Sequence, residues 1–141
     1  MTIDYYSSGA NAMISLKDAE ARYDDLKLKT KAEVDADKFE GLQTELLGIK
    51  IPSPICITST SFHGLAHFEA ESATCRAANT SSTPFMLSNW ANTPVEVIGK
   101  ECPNSLKMFQ IYMSKVPEVN EDLWRRVRES GFKIMLLTTD T

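Results

Sequence analysis

Four short apolar runs in this 141-residue chain each lead into polar side chains able to bind a small molecule. The run that opens at Ile55 passes into Thr58, Ser59, Thr60 and Ser61. The run that opens at Phe85 ends in Ser88, Asn89 and Trp90. A third carries Gln110 and Tyr112, and the last ends in Thr138, Thr139 and Asp140. Gln110 sits in an otherwise apolar run, and a buried amide must be given hydrogen-bond partners. If each run is a strand of one parallel sheet, these groups all lie at carboxyl ends, where α/β proteins place their ligands. The chemistry they offer is binding and orientation by amide and hydroxyl groups.

The elements that must position them are legible from pattern. Ile55–Thr58 is β-branched, short and bounded by Pro54 and a hydroxyl cluster, which predicts a buried strand. A helix follows over about Glu69–Asn79, with Glu69 and Glu71 in its first turn complementing the helix dipole. Strand Phe85–Ser88 precedes a short helix from about Pro94, with Thr93 as N-cap and Pro94 at the first helical position. Strand Lys107–Met113 precedes a helix over Val119–Ser130 that ends at Gly131, a position for a left-handed cap. A last strand spans about Lys133–Thr138. Before all this, Tyr5–Gly9 reads as a turn and Met13–Leu28 as an amphipathic helix. Lys27–Lys38 reads as a charged solvated stretch, and Phe39–Ile51 as a short element of mixed signals.

Strands alternating with helices define an α/β fold with a parallel sheet and right-handed crossovers. The pattern alone fits either an open doubly wound sheet or part of a (β/α)8 barrel. Polar groups at every strand end favour the barrel. No Gly-x-Gly-x-x-Gly follows the first strand, so the usual dinucleotide fingerprint is lacking.

Bulk properties exclude several classes. Hydrophobic residues make up 43% of the chain, enough for a packed core, and the formal net charge is −4. There is no basic stripe with interleaved aromatics, so nucleic acid is not an expected partner. No apolar run of about 18 residues is present, so no membrane span is expected. Cys56, Cys75 and Cys102 are odd in number and widely spaced, which reads as reduced structural thiols of an intracellular protein. With His63 and His67 they make no metal-ligand spacing. Both histidines read as loop and helix-start residues rather than catalysts. Trp124, Arg125, Arg126 and Arg128 read as an outer helix face with its charges in water. The amino terminus carries no secretory signal and the carboxyl end no Ser-Lys-Leu address.

Five segments, taken together, resemble the amino-terminal half of the FMN-dependent 2-hydroxy acid oxidases and dehydrogenases, the glycolate oxidase group. They are Asp4-Tyr5-Tyr6-Ser7-Ser8-Gly9-Ala10, Pro54 to Ala78, Leu87-Ser88-Asn89-Trp90-Ala91, Phe109-Gln110-Ile111-Tyr112 and Leu137-Thr138-Thr139-Asp140-Thr141. They occur in family order and cover nearly the whole chain. The resemblance implies one partial domain over residues 1–141: a helical lead-in over 1–53, then barrel strands one to four over 54–141.

By motif match, the resemblance implies that Tyr5 holds the substrate carboxylate, Tyr112 is a substrate-side tyrosine and Trp90 lines the substrate pocket. It implies that the Ser59-Thr60-Ser61 turn faces the flavin ring, and that Ser88, Gln110 and Thr138 bond the polar edge of the isoalloxazine. Asp140 corresponds to the residue that orients the catalytic histidine. FMN is then the cofactor, a small 2-hydroxy acid the substrate and oxygen the acceptor. A homo-oligomer is implied for the full-length protein, in the peroxisome or cytosol.

The chain departs from the family pattern in places. Thr58-Ser59-Thr60-Ser61 stands for Ala-Pro-Thr-Ala, His63 for a glutamine, Ala70 for the Gly of Gly-Glu, and Asn89 for the second serine of Ser-Ser-Trp. No Leu-x-Pro-Arg segment is recognisable near Leu28–Lys31. The resemblance also assigns the histidine base, the lysine near the flavin, the carboxylate-binding arginine and the phosphate loops to a second half. The 141 residues are therefore expected to be inactive alone. The alternative is a non-catalytic half-barrel serving as a binding or dimerisation module, because a half-barrel leaves parallel edges open.

Overall fold

The computed structural model describes residues 2–30 and 36–140. The chain divides into two compact units, Met1–Glu40 and Gly41–Thr141.

In the first unit, helix α1 spans Thr2–Ser7 and helix α2 spans Ile14–Asp25, with a 3-10 turn at Ala36–Lys38. The tyrosine-containing opening is therefore helical, not the turn that the sequence predicts. Hydroxyls close its last turn: Ser7 Oγ donates to the Ile3 carbonyl at 2.7 Å, and Ser8 Oγ donates to the Asp4 carbonyl. Helix α2 matches the predicted amphipathic stretch but buries none of its residues. The charged stretch Lys27–Lys38 falls in part on residues 31–35, outside the described residues.

The second unit opens with an antiparallel hairpin of β1 (Thr44–Leu46) and β2 (Ile49–Ile51). Leu47 and Gly48 close it with φ of 49° and 81°. A two-residue hairpin turn of this kind requires positive φ at both positions. Leucine at the first of them hides the usual Asn-Gly signal, so the hairpin was not legible within the predicted helical lead-in.

A parallel sheet of β3 (Phe85–Leu87), β4 (Lys107–Ile111) and β5 (Ile134–Leu137) follows, in that spatial order. Helix α3 (Ala70–Ser81) precedes β3, α4 (Val95–Glu101) joins β3 to β4, and α5 (Pro117–Glu129) joins β4 to β5. The strand predicted over Ile55–Thr58 is reduced to one parallel bridge, Ile57 to Phe85. Pro54 offers the ladder no N–H, and the hydroxyl turn begins at Thr58, so only Ile57 pairs. Ile55 is 67% exposed rather than buried.

The core lies between sheet and helices. Phe85, Leu87, Phe109 and Ile111 pack against Ala78 of α3, Val95 and Ile98 of α4 and Val127 of α5. Phe109 meets Phe132 edge-on, with ring centroids 6.1 Å apart. Between α3 and α4, Cys75 and Cys102 are fully buried and joined in a disulfide, their Cα atoms 6.1 Å apart. This corrects the expectation of reduced thiols: the helix packing that brings these two residues together, 27 apart in sequence, leaves no trace in their spacing.

Other termini follow from local chemistry. Gly131, with φ of 81°, ends α5 as predicted. Buried Lys107 donates from Nζ to the Cys102 carbonyl at 2.7 Å, placing a cation at the negative end of α4. Burial, and then the nearby Lys133, hold its ammonium below the usual lysine range. Pro94, not Thr93, occupies the N-cap of α4, because the Thr93 side chain is turned to Glu71. Buried Asn120 ties the start of α5 to the loop before it, accepting from Ser114 N and donating to Ser114 O, both at 2.9 Å.

Candidate functional site

The period of two along a strand sorts β4 into two faces. Phe109 and Ile111 belong to the core cluster, while Gln110, between them, is turned the other way. Its amide joins three strand ends. Gln110 Nε2 donates to Thr138 Oγ1 at 2.8 Å, just past β5. Gln110 Oε1 accepts from Asn89 N at 3.1 Å and from Ser88 Oγ at 3.4 Å, just past β3. Ser88 Oγ also accepts from Trp90 N at 3.0 Å and lies 3.1 Å from Ser61 Oγ. A continuous chain of polar atoms therefore runs Ser61–Ser88–Gln110–Thr138 across the carboxyl ends of the sheet. Thr138 is fixed in turn by its backbone N–H, which donates to Ile111 O at 3.0 Å.

An aromatic row stands beside this chain. Trp90 is 53% exposed, and its ring centroid lies 6.3 Å from that of Tyr112 and 6.3 Å from that of Phe62. Sequence reasoning missed Phe62; an aromatic directly after the hydroxyl turn was the available signal. Ser59 is half-buried and Thr60 exposed in that turn, and Asp140 is exposed beyond β5. Tyr5 lies on α1 in the first unit, its ring edge-on to Tyr6 at 4.9 Å. Neither histidine joins the polar chain. His63 Nδ1 lies 3.3 Å from Thr74 Oγ1, and His67 Nδ1 accepts from Glu69 N at 3.2 Å.

The second residue missed is Glu71. Read from sequence as a companion of the helix dipole, it is buried and accepts from the backbone N–H groups of His63, Asn92 and Thr93 and from the Thr93 hydroxyl. Burial pushes its pKa up, but the amides of Asn92, of Glu71 itself and of His63, with the Thr93 hydroxyl, outweigh it and hold the carboxyl below the usual glutamate value. Glu69, by contrast, lies outside and pairs with Arg76, which also reaches Glu101 at 3.3 Å. The predicted basic face of α5 is likewise neutralised at the surface, Arg126 Nε meeting Glu96 Oε1 at 2.6 Å. A groove of about 990 Å³ between Phe68–Arg76 and Asn92–Glu101 is also lined by Phe62 and Leu65, and holds none of Ser88, Gln110 and Thr138.

The donor set suits the polar edge of a flavin. Gln110 Nε2 keeps a second N–H beyond the one given to Thr138, and the Ser88 and Thr138 hydroxyls each donate or accept. Among the described residues, no group of His, Cys, Asp and Glu is placed to hold a metal ion, and no helix is long and apolar enough to cross a membrane.

Parallel strands backed by helices, with polar groups gathered at their carboxyl ends, define a portion of an α/β barrel with its ligand site at the mouth. The family described as FMN-dependent dehydrogenase matches residues 1–141, and the chain belongs to it. Human 2-hydroxyacid oxidase 1 is 36% identical over 98% of the chain, and maize glycolate oxidase 1 is 36% identical over all of it. The chain spans 37% and 38% of those two relatives.

Solved structures agree on the fold. A soluble mutant of the (S)-mandelate dehydrogenase from Pseudomonas putida superposes with a TM-score of 0.88 at 28% identity, covering 98% of this chain and 39% of that one. A lactate oxidase from Pediococcus acidilactici does so with a TM-score of 0.90 at 24% identity, over 99% of this chain and 39% of that one. The predicted flavin-barrel ancestry and the partial (β/α)8 architecture are thereby shown.

Proposed function

We propose that this chain supplies part of the active site of an FMN-dependent oxidase that converts a small (S)-2-hydroxy acid such as glycolate into the 2-oxo acid, with oxygen as acceptor. The supporting observation is the Gln110 amide, held by Ser88, Asn89 and Thr138 at the carboxyl ends of three adjacent strands. The names of the 36%-identical relatives supply the substrate class.

FMN, when bound, takes the two electrons removed from the substrate carbon. The chain's own residues bind and orient. Ser88, Gln110 and Thr138 hold the polar edge of the isoalloxazine, and the Ser59-Thr60-Ser61 backbone faces the ring. The resemblance gives Tyr5 the substrate carboxylate and makes Tyr112 a substrate-side tyrosine, hydroxyls that donate without adding charge. Trp90 walls the substrate side, and Asp140 orients the histidine base. That base is neither His63 nor His67, since both are engaged away from the polar chain. The 141 residues alone therefore bind but do not turn over. The same reading makes the complete protein a homo-oligomer of the peroxisome or cytosol; a rice relative is named a peroxisomal (S)-2-hydroxy-acid oxidase.

The test is glycolate-dependent peroxide release by the purified chain supplied with FMN. No peroxide is expected; turnover would overturn the assignment of the base to residues outside this chain.

One observation favours a second reading, a non-catalytic module that associates through its sheet. Met135, Leu136 and Leu137 of β5 are 40%, 38% and 56% exposed, and an apolar parallel edge invites association. Sedimentation tests this second reading: a monomer in solution would sink the association module.

A further inference from the structure

We propose that Glu71 is a positioning residue: its single buried carboxylate latches the loop carrying Ser61 and Phe62 to the loop carrying Ser88–Trp90, and so sets the spacing of the two walls of the mouth. Oε1 accepts from His63 N at 3.1 Å and from Asn92 N at 3.1 Å. Oε2 accepts from Asn92 N at 3.2 Å, Thr93 N at 3.0 Å and Thr93 Oγ1 at 2.9 Å. His63 directly follows Phe62, and Asn92 lies two residues after Trp90. The latch therefore grips both loops next to their aromatic residues.

The geometry is specific to a carboxylate. Among the described residues its donors are N–H and O–H groups with no cation, so its charge is carried by dipoles aimed at acceptor-only oxygens. A glutamine of the same size would turn an NH₂ group towards at least one of those donors. Two weaker ties cooperate: Phe62 N donates to Trp90 O at 3.1 Å, and Gly64 N to Asn92 Oδ1 at 2.8 Å. The Ser61–Ser88 contact at 3.1 Å and the Phe62–Trp90 ring pair depend on the same loop spacing. The β3-β4-β5 ladder is held separately, by its own backbone bonds and the core cluster. Loss of the latch should thus loosen the mouth without melting the sheet.

The consequence for FMN rests on the flavin reading; the latch itself does not. Residue-resolved amide exchange on Glu71→Gln decides it. The His63, Asn92 and Thr93 amides should accelerate about tenfold more than those of Met108–Ile111, which report only the loss of global stability. With Trp124→Phe as background, so that Trp90 is the only indole, Glu71→Gln should also shift the Trp90 emission, and the FMN dissociation constant should rise about tenfold. Unchanged exchange at the three amides, or equal acceleration in β4, would overturn the latch. If Glu71→Gln does not fold, Thr93→Val, which removes one donor, should accelerate the same amides more weakly; no acceleration there overturns the proposal too. Absence of FMN binding in the unsubstituted protein would refute the flavin reading while the exchange results still decide the latch.

Discussion

Gln110 Nε2 donates to Thr138 Oγ1 at 2.8 Å, tying the carboxyl ends of β4 and β5 through side chains as well as through the ladder. The same amide accepts the Asn89 N–H. Gln110→Ala would strip the Asn89 N–H and the Ser88 and Thr138 hydroxyls of a partner at one stroke. The expected cost is about 1–3 kcal/mol, read by urea unfolding. Loss of stability below about 0.5 kcal/mol would mean that water replaces the amide without penalty.

Glu71 links stability to pH. Its folded pKa is lowered, so its stabilisation is complete above the unfolded glutamate value and is lost as pH falls through the folded value. Glu71→Gln should cost about 1–3 kcal/mol at neutral pH. The gap from the unsubstituted protein should narrow in acid, below the ordinary glutamate range. Urea melts of both proteins across that range check the sign; a gap constant with pH, or widening in acid, contradicts it.

Ala70 has φ of 47° at the head of α3, at a position where the resemblance expects glycine. An L-residue in the left-handed region bears a steric cost that glycine avoids. Ala70→Gly should stabilise the protein by about 0.5–1 kcal/mol despite the added freedom of its unfolded chain. A lower unfolding midpoint for the glycine variant would show that Ala70 is not strained.

Cys75 and Cys102 form the buried disulfide and Cys56 is free and exposed. Iodoacetamide applied under denaturing, non-reducing conditions should therefore label Cys56 alone, and all three cysteines after reduction. Labelling of all three without reduction would restore the sequence-based expectation of free thiols. Closing a loop of 27 residues adds about 3–4 kcal/mol by the chain-entropy relation, and its loss on reduction should lower the unfolding midpoint.

What the sequence could disclose follows from where its signals are local. β3, β4 and β5 were legible as apolar runs, α5 from the strand before it and the Gly131 cap beyond it, and Gln110 because an amide inside an apolar run stands out. The structure brings Ser61, Ser88, Gln110 and Thr138 into one hydrogen-bonded chain, as strand-end convergence anticipates. Features made by tertiary packing stayed hidden. Nothing near Glu71 in sequence announces donors 21 and 22 residues away. The Cys75–Cys102 pair depends on the crossing of α3 and α4, and the exposure of Ile55 on how little of its run pairs with β3. Local exceptions misled as well: Leu47 in a left-handed turn concealed a hairpin, and the Tyr5–Gly9 opening, read as a turn, is helical through Ser7.

The flavin reading rests on the Ser88–Gln110–Thr138 edge. Its most direct test is a titration of FMN with the purified chain and with Gln110→Ala, followed by flavin fluorescence while circular dichroism confirms that both remain folded. Saturable one-to-one quenching by the unsubstituted chain, weakened about tenfold or more in Gln110→Ala, is the predicted result. No quenching by the folded chain, or equal affinity in the two proteins, would contradict it.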